Sequence, residues 1–138
     1  MDTIIKNYPA PQVNEYEVLR YAGMKGEGTA GAEAVKELLA EVIEEAAPVL
    51  EYKICYKKLP IPEYLLNHPA MSCCERGILF AATVGAGIDE LVNKYKDSDP
   101  AKALLFDALG SERVESLCDI FCNEMGLKIR ISPGYGSY

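Results

Sequence analysis

The sequence predicts an α+β fold in which helices pack on a mainly antiparallel sheet. Three observations predict it. Two long stretches, 32–47 and 100–125, carry apolar residues at helical spacing. Two short stretches, 49–59 and 75–84, read as strands, one by alternation and one by an unbroken apolar run. The segments follow the order helix, helix, strand, strand, helix, helix, strand, which suits helices gathered on a sheet.

Taken in order, residues 1–12 contain Pro9 and Pro11 and read as an extended lead-in. Asn14 is a good N-cap for a short helix to Tyr21, with Tyr16 and Leu19 facing inward. Gly23 to Gly31 is a glycine-rich connection. It contains Gly26-Glu27-Gly28-Thr29-Ala30-Gly31, formally G-x-G-x-x-G. A dinucleotide site needs a strand before that pattern, whereas a helix precedes it here, and Glu27 would repel a phosphate. The segment is read as a linker with a helix start.

Ala32 to Ala47 is the clearest amphipathic helix. Val35, Leu38, Leu39, Val42, Ile43 and Ala46 form its inward stripe, and Pro48 stops it. The strand over 49–59 turns Tyr52, Ile54 and Tyr56 to one side, and Pro60 and Pro62 end it. Residues 63–72 read as a loop with one helical turn. The run from Ile78 to Val84 has the continuous apolar character of a buried central strand. A helix is expected over 87–95. Asp99 and Pro100 are an N-cap and first-turn pair for a long helix to about Met125. Its stripe is Ala103, Phe106, Gly110, Val114, Leu117, Phe121 and Met125, and a close approach by a neighbouring element would account for Gly110. Leu127 to Ile131 reads as the last strand.

At 138 residues the chain fits a single domain spanning 1–138 and can bury a substantial core. Its net charge of -7 and lack of a lysine or arginine cluster make nucleic acid an unsuitable partner. No apolar run reaches membrane-spanning length, and the N-terminus has no basic segment followed by an apolar core. Five cysteines without such a leader fit reduced thiols in a cytoplasmic protein. Cys73-Cys74 and the pair Cys118 and Cys122 lack metal or redox spacing, and the helical pair reads as small buried hydrophobes. With His68 the only histidine, no histidine-rich metal site is expected. Thr83, Gly85, Gly87 and Asp89 sit where a strand meets a helix and read as a glycine turn with an acidic first turn.

The end of the chain carries the most chemistry. Lys128-Ile129-Arg130-Ile131-Ser132-Pro133-Gly134-Tyr135-Gly136 reads as a strand entering a tight Pro-Gly turn. A guanidinium fork beside such a turn suits a small carboxylate-bearing ligand.

This Arg-x-x-x-Gly-Tyr pattern resembles the S-adenosylmethionine (AdoMet) site in the activation domain of cobalamin (vitamin B12)-dependent methionine synthase. Thr83-Val84-Gly85-Ala86-Gly87-Ile88-Asp89 is similar to that family's Thr-x-Gly-x-x-Ile-Asp segment, and Val114-Glu115 to its helical glutamate pair. Val18-Leu19-Arg20-Tyr21-Ala22-Gly23 is similar to the opening of its small stand-alone members. The match spans roughly 16–135. The resemblance implies a twisted sheet with helices around it. It implies AdoMet contacts from Arg130, Ser132, Gly134 and Tyr135, with Glu115 for the ligand's amino group. Ser132 stands where the large enzymes have alanine.

The role implied is accessory to a methyltransferase: AdoMet and a flavodoxin-type electron donor restore methylcobalamin from its inactive oxidised form. Cobalamin would come through a partner, a methionine synthase or corrinoid protein, because no Asp-x-His-x-x-Gly segment is present. The family continues past the Gly-Tyr turn, so the chain reads either as a fragment of a longer protein or as a C-terminally shortened member. Two alternatives remain open: a docking module that has lost AdoMet, and an unrelated enzyme using Cys73 or Cys74.

Overall fold

Ile54 lies at the centre of the sheet, opposite Lys6 on one side and Ala82 on the other. The computed structural model describes residues 2–24 and 31–132. Three strands, β1 (Ile4–Asn7), β2 (Lys53–Pro60) and β3 (Arg76–Thr83), pair antiparallel in the order β1-β2-β3. The architecture is α+β among the described residues, as the sequence predicts.

Five helices accompany the sheet among the described residues: α1 (Glu15–Tyr21), α2 (Ala32–Ala46), α3 (Glu63–Leu66), α4 (Gly87–Tyr95) and α5 (Pro100–Glu124). Their starts follow from local chemistry. The Asn14 side chain accepts from the Glu17 N–H at 3.2 Å, and Asp99 accepts from the Lys102 N–H at 3.2 Å with Pro100 in the first turn. Each cap satisfies an N–H that the helix cannot. α2 runs into a 3₁₀ turn over Ala47–Val49 containing Pro48, so β2 begins at Lys53 rather than at 49.

One layer of side chains joins sheet and helices. Val18 of α1, Leu39 and Val42 of α2, Ile54 of β2, Ile88 of α4, and Phe106 and Phe121 of α5 are buried in one cluster. The Phe121 ring meets Tyr56 at 5.1 Å and Phe80 at 4.9 Å between centroids, fixing the end of α5 to the sheet. Three helices also meet at Glu45, which accepts from Tyr95 Oη at 2.6 Å and pairs with Lys102 at 3.1 Å. The Tyr95 hydrogen bond, helped by Lys102, holds the Glu45 carboxyl below its ordinary range.

Besides Tyr16, read as facing inward on α1 and found 74% exposed, the structure corrects four expectations. Ile4–Asn7, read as part of an extended lead-in, is an edge strand. Four residues with no alternation carry no strand signal of their own, and only pairing with β2 reveals them. β3, read as a buried central strand, lies at a sheet edge, and its Leu79 is 64% exposed. A continuous apolar run states that a strand is apolar, not that both its faces are covered. Residues 127–131, read as a strand, form none. Their backbone enters no ladder among the described residues.

Gly110 is the fourth. A Cβ built there would lie 3.5 Å from Ile88 Cγ1, an ordinary van der Waals distance. Packing therefore does not require the glycine, although glycine in a helix costs about 1 kcal/mol relative to alanine. At Gly87 the reverse holds, because a Cβ would lie 2.7 Å from the Val49 carbonyl oxygen and 2.7 Å from its Cβ.

Candidate functional site

Successive turns of α5 present Glu112, Glu115, Ser116 and Asp119 toward α1, as helical spacing requires. With Asn14, Glu17 and Tyr21 they line a crevice of about 320 Å³. Arg130 reaches its rim from beyond the end of α5. Its Nη2 donates to Glu115 Oε2 at 2.6 Å, and Nη1 lies 3.6 Å from Asp119 Oδ1. Two residues singled out from sequence, fifteen apart, are thereby brought into direct contact. Burial works to lower the Arg130 pKa, but the Glu115 carboxylate outweighs it and holds the guanidinium above its ordinary value.

Charge in the crevice can be counted. Glu17 pairs with Arg20 at 2.7 Å, Glu112 with Arg113 at 2.6 Å, and Glu115 and Asp119 share Arg130. Four carboxylates face three guanidiniums, which leaves one negative charge. An amino-acid-like ligand fits such a set. Its ammonium would take Glu115 and its carboxylate would take Arg130, exchanging one ion pair for two.

Of the other predicted contacts, Ser132 is exposed and lies two residues beyond Arg130. Gly134 and Tyr135 lie outside the described residues, as does 25–30, which holds all of the G-x-G-x-x-G stretch except Gly31. Glu115 is 46% exposed, so its position alone would pass for an ordinary surface glutamate.

Sequence reading missed Glu112 and Arg113. Both are nearly sealed from solvent, at 2% and 1% exposure. Glu112 Oε1 accepts from the Asn14 N–H at 3.1 Å, from Ser116 Oγ at 2.7 Å and from Arg113 Nη2 at 2.8 Å. Arg113 donates to the Pro11 and Gln12 carbonyls at 2.5 and 2.8 Å. This network anchors the segment before α1 against α5 and thereby sets the width of the crevice. An available signal was the pair's phase: Glu112 and Arg113 fall beside Leu109 and Leu117 on the buried side of α5.

The cysteines are free among the described residues. Cys118 and Cys122, read as buried, are each half-buried. Burial pushes the Cys118 thiol up to about 11, only partly countered by Arg130. At pH 8 about one Cys118 thiol in a thousand would be ionised. Alkylation by iodoacetamide at pH 8, followed by peptide mass spectrometry, should label exposed Cys73 first and Cys118 last. Equal rates would contradict the burial of Cys118.

Among the described residues, no cluster of three or more His, Cys, Asp or Glu side chains is placed to hold a metal ion. No helix there is long and apolar enough to cross a membrane.

The fold and crevice define a small α+β protein with a paired carboxylate and guanidinium at the mouth of a polar crevice. No protein-family model matches the chain, and no curated protein matches it.

Proposed function

We propose that the chain is a methionine synthase activation domain-like protein that binds AdoMet and supports reductive remethylation of a corrinoid partner. The observation that carries this reading is the 2.6 Å contact between Glu115 and Arg130. The resemblance makes Arg130 an AdoMet contact and gives Glu115 the ligand's amino group, and the two side chains meet at one crevice. The lone excess negative charge there also suits a sulfonium cation. AdoMet would supply the methyl group, and the corrinoid held by the partner would accept it together with an electron from a flavodoxin-type donor. This chain's own work is to hold and orient the ligand: Arg130 on the carboxylate and Glu115 on the ammonium, with Ser132, Gly134 and Tyr135 as the further contacts that the resemblance implies.

Calorimetric titration of AdoMet into the chain and into Arg130→Ala tests the reading. Saturable binding that the substitution weakens about 10- to 100-fold is expected, the cost of a charged hydrogen bond. No binding to the unaltered chain, repeated on the protein extended to its natural C-terminus, would remove the ligand claim.

A second reading is favoured by the same contact. Glu115 and Arg130 satisfy each other without a ligand, as they would in a docking module that keeps the fold and has lost AdoMet. Capture of the corrinoid partner that is indifferent to Arg130→Ala, with no AdoMet heat, would favour it.

A further inference from the structure

The connection between β2 and β3 holds two free cysteines side by side, Cys73 exposed and Cys74 half-buried. It is built from successive turns. The Met71 N–H donates to the His68 carbonyl at 2.9 Å, and the Cys74 N–H to the Met71 carbonyl at 3.0 Å. β3 starts only at Arg76, so both cysteines lie outside every helix and strand. Burial first, and then hydrogen bonding to the Cys73 thiol, push the Cys74 thiol above its ordinary value. The two sulfurs are therefore close. No third His, Cys, Asp or Glu joins them among the described residues, short of the four ligands of a structural zinc.

The other cysteines are held apart. Cys118 and Cys122 are fixed one turn apart on α5, where Cβ atoms lie about 5–6 Å from each other. A disulfide needs about 3.5–4.5 Å. Cys55 sits within β2 between Ile5 and Ala81, with no cysteine opposite. Cys73 and Cys74 have the reverse problem. Adjacent Cα atoms lie about 3.8 Å apart across a trans peptide. The usual span of a disulfide is about 4.4–6.8 Å. A bond between them closes a small strained ring, and strain makes a disulfide easier to reduce. Such a bond suits a reversible switch. It would not serve as a structural staple.

We propose that Cys73 and Cys74 are a redox modification site that exchanges reversibly with a low-molecular-weight disulfide. Cys73, the exposed thiol, loses its proton and attacks one sulfur of the small disulfide. That S–S bond breaks, a mixed disulfide forms on Cys73, and the first small thiolate leaves. Cys74 then loses its proton, attacks the Cys73 sulfur and expels the second small thiolate. The two cysteines are oxidised to one disulfide. The small disulfide is reduced to two thiols, which take up the two protons released. Burial keeps Cys74 from attacking first and reserves it for the second step.

The test uses oxidised glutathione on the folded chain, followed by alkylation and tryptic digestion. Peptide 59–76 contains Cys73 and Cys74 and no other cysteine, and peptide 114–128 contains Cys118 and Cys122. Peptide 59–76 is expected to become two hydrogen atoms lighter and resistant to alkylation while 114–128 is still fully alkylated. Reduced glutathione should restore it. Cys74→Ser should stop at a glutathione adduct on Cys73, and Cys73→Ser should react at least about tenfold more slowly, following the smaller thiolate fraction of Cys74. A lasting glutathione adduct on Cys73 in the unaltered chain would overturn the proposal, because Cys74 would then not resolve it. Earlier oxidation of 114–128, a bond that reduced glutathione leaves intact, or equal rates in the two variants would overturn it as well.

Discussion

Arg113→Ala should destabilise the protein by about 3–5 kcal/mol, the cost of breaking a buried ion pair by removing one partner. The Arg113 side chain is 1% exposed and has five partner residues, the weakest being Ser116 Oγ at 3.5 Å. It donates to both Glu112 carboxylate oxygens, at 2.6 and 2.8 Å, to the Pro11 carbonyl, to the Gln12 carbonyl, and weakly to Tyr52 Oη at 3.4 Å. Truncation leaves a buried carboxylate without its counter-charge and two carbonyls without donors. Urea unfolding measures the loss, and a cost below about 1 kcal/mol would mean that the site is wet or the network is not formed. Replacing both partners by Glu112→Leu/Arg113→Met should recover only part of the stability. The charge problem is then gone, but the Pro11 and Gln12 carbonyls remain unpaired.

The same network sets a pH dependence. Burial works to raise the Glu112 carboxyl, but donation from Arg113, Ser116 and the Asn14 N–H outweighs it, and the net shift is downward from 4.5. A carboxyl whose folded pKa is depressed stabilises the fold fully above its unfolded pKa. That contribution falls away as pH drops through the folded value. Acid unfolding of the unaltered chain should therefore carry a Glu112 component below pH 4.5 that Glu112→Gln lacks.

How much was legible in the sequence follows the reach of each signal. α2, α4 and α5 were readable because their apolar period lies within the helix itself, and α5 adds a local start signal in Asp99 and Pro100 ahead of the stripe through Phe106 and Phe121. β1 was not, because its identity depends on β2, almost fifty residues away. The Arg130 and Glu115 side chains were readable as chemistry, and no sequence rule states that they touch. Glu112 and Arg113 were hard to read for a different reason, with only their phase beside Leu109 and Leu117 to hint at burial. Two adjacent charged residues on a helix ordinarily face water, and here the chain before α1 closes over them. Nothing local announces that Pro11 and Gln12 will supply carbonyls one hundred residues away in sequence.

Phe121→Ala should cost about 3–5 kcal/mol as well, by cavity formation rather than by charge. Phe121 is fully buried and stacks obliquely against Tyr56 of β2 and Phe80 of β3, with interplanar angles of 52° and 49°. Such aromatic pairs add about 0.5–1.5 kcal/mol beyond the area they bury. Because α5 also carries Glu115, loosening its far end from the sheet should weaken any ligand that depends on the Glu115–Arg130 contact. The informative comparison is Leu79→Ser on the same strand as Phe80. Adjacent residues of a strand face opposite sides, and Leu79 is the one turned away from the helices. Its substitution should change stability by no more than about 0.5 kcal/mol. Urea unfolding of the two variants with unchanged m-values would separate a covered face from an open one. An equally large loss at Leu79 would mean that the outer face of the sheet is covered in the protein, as the continuous apolar run of β3 first implied.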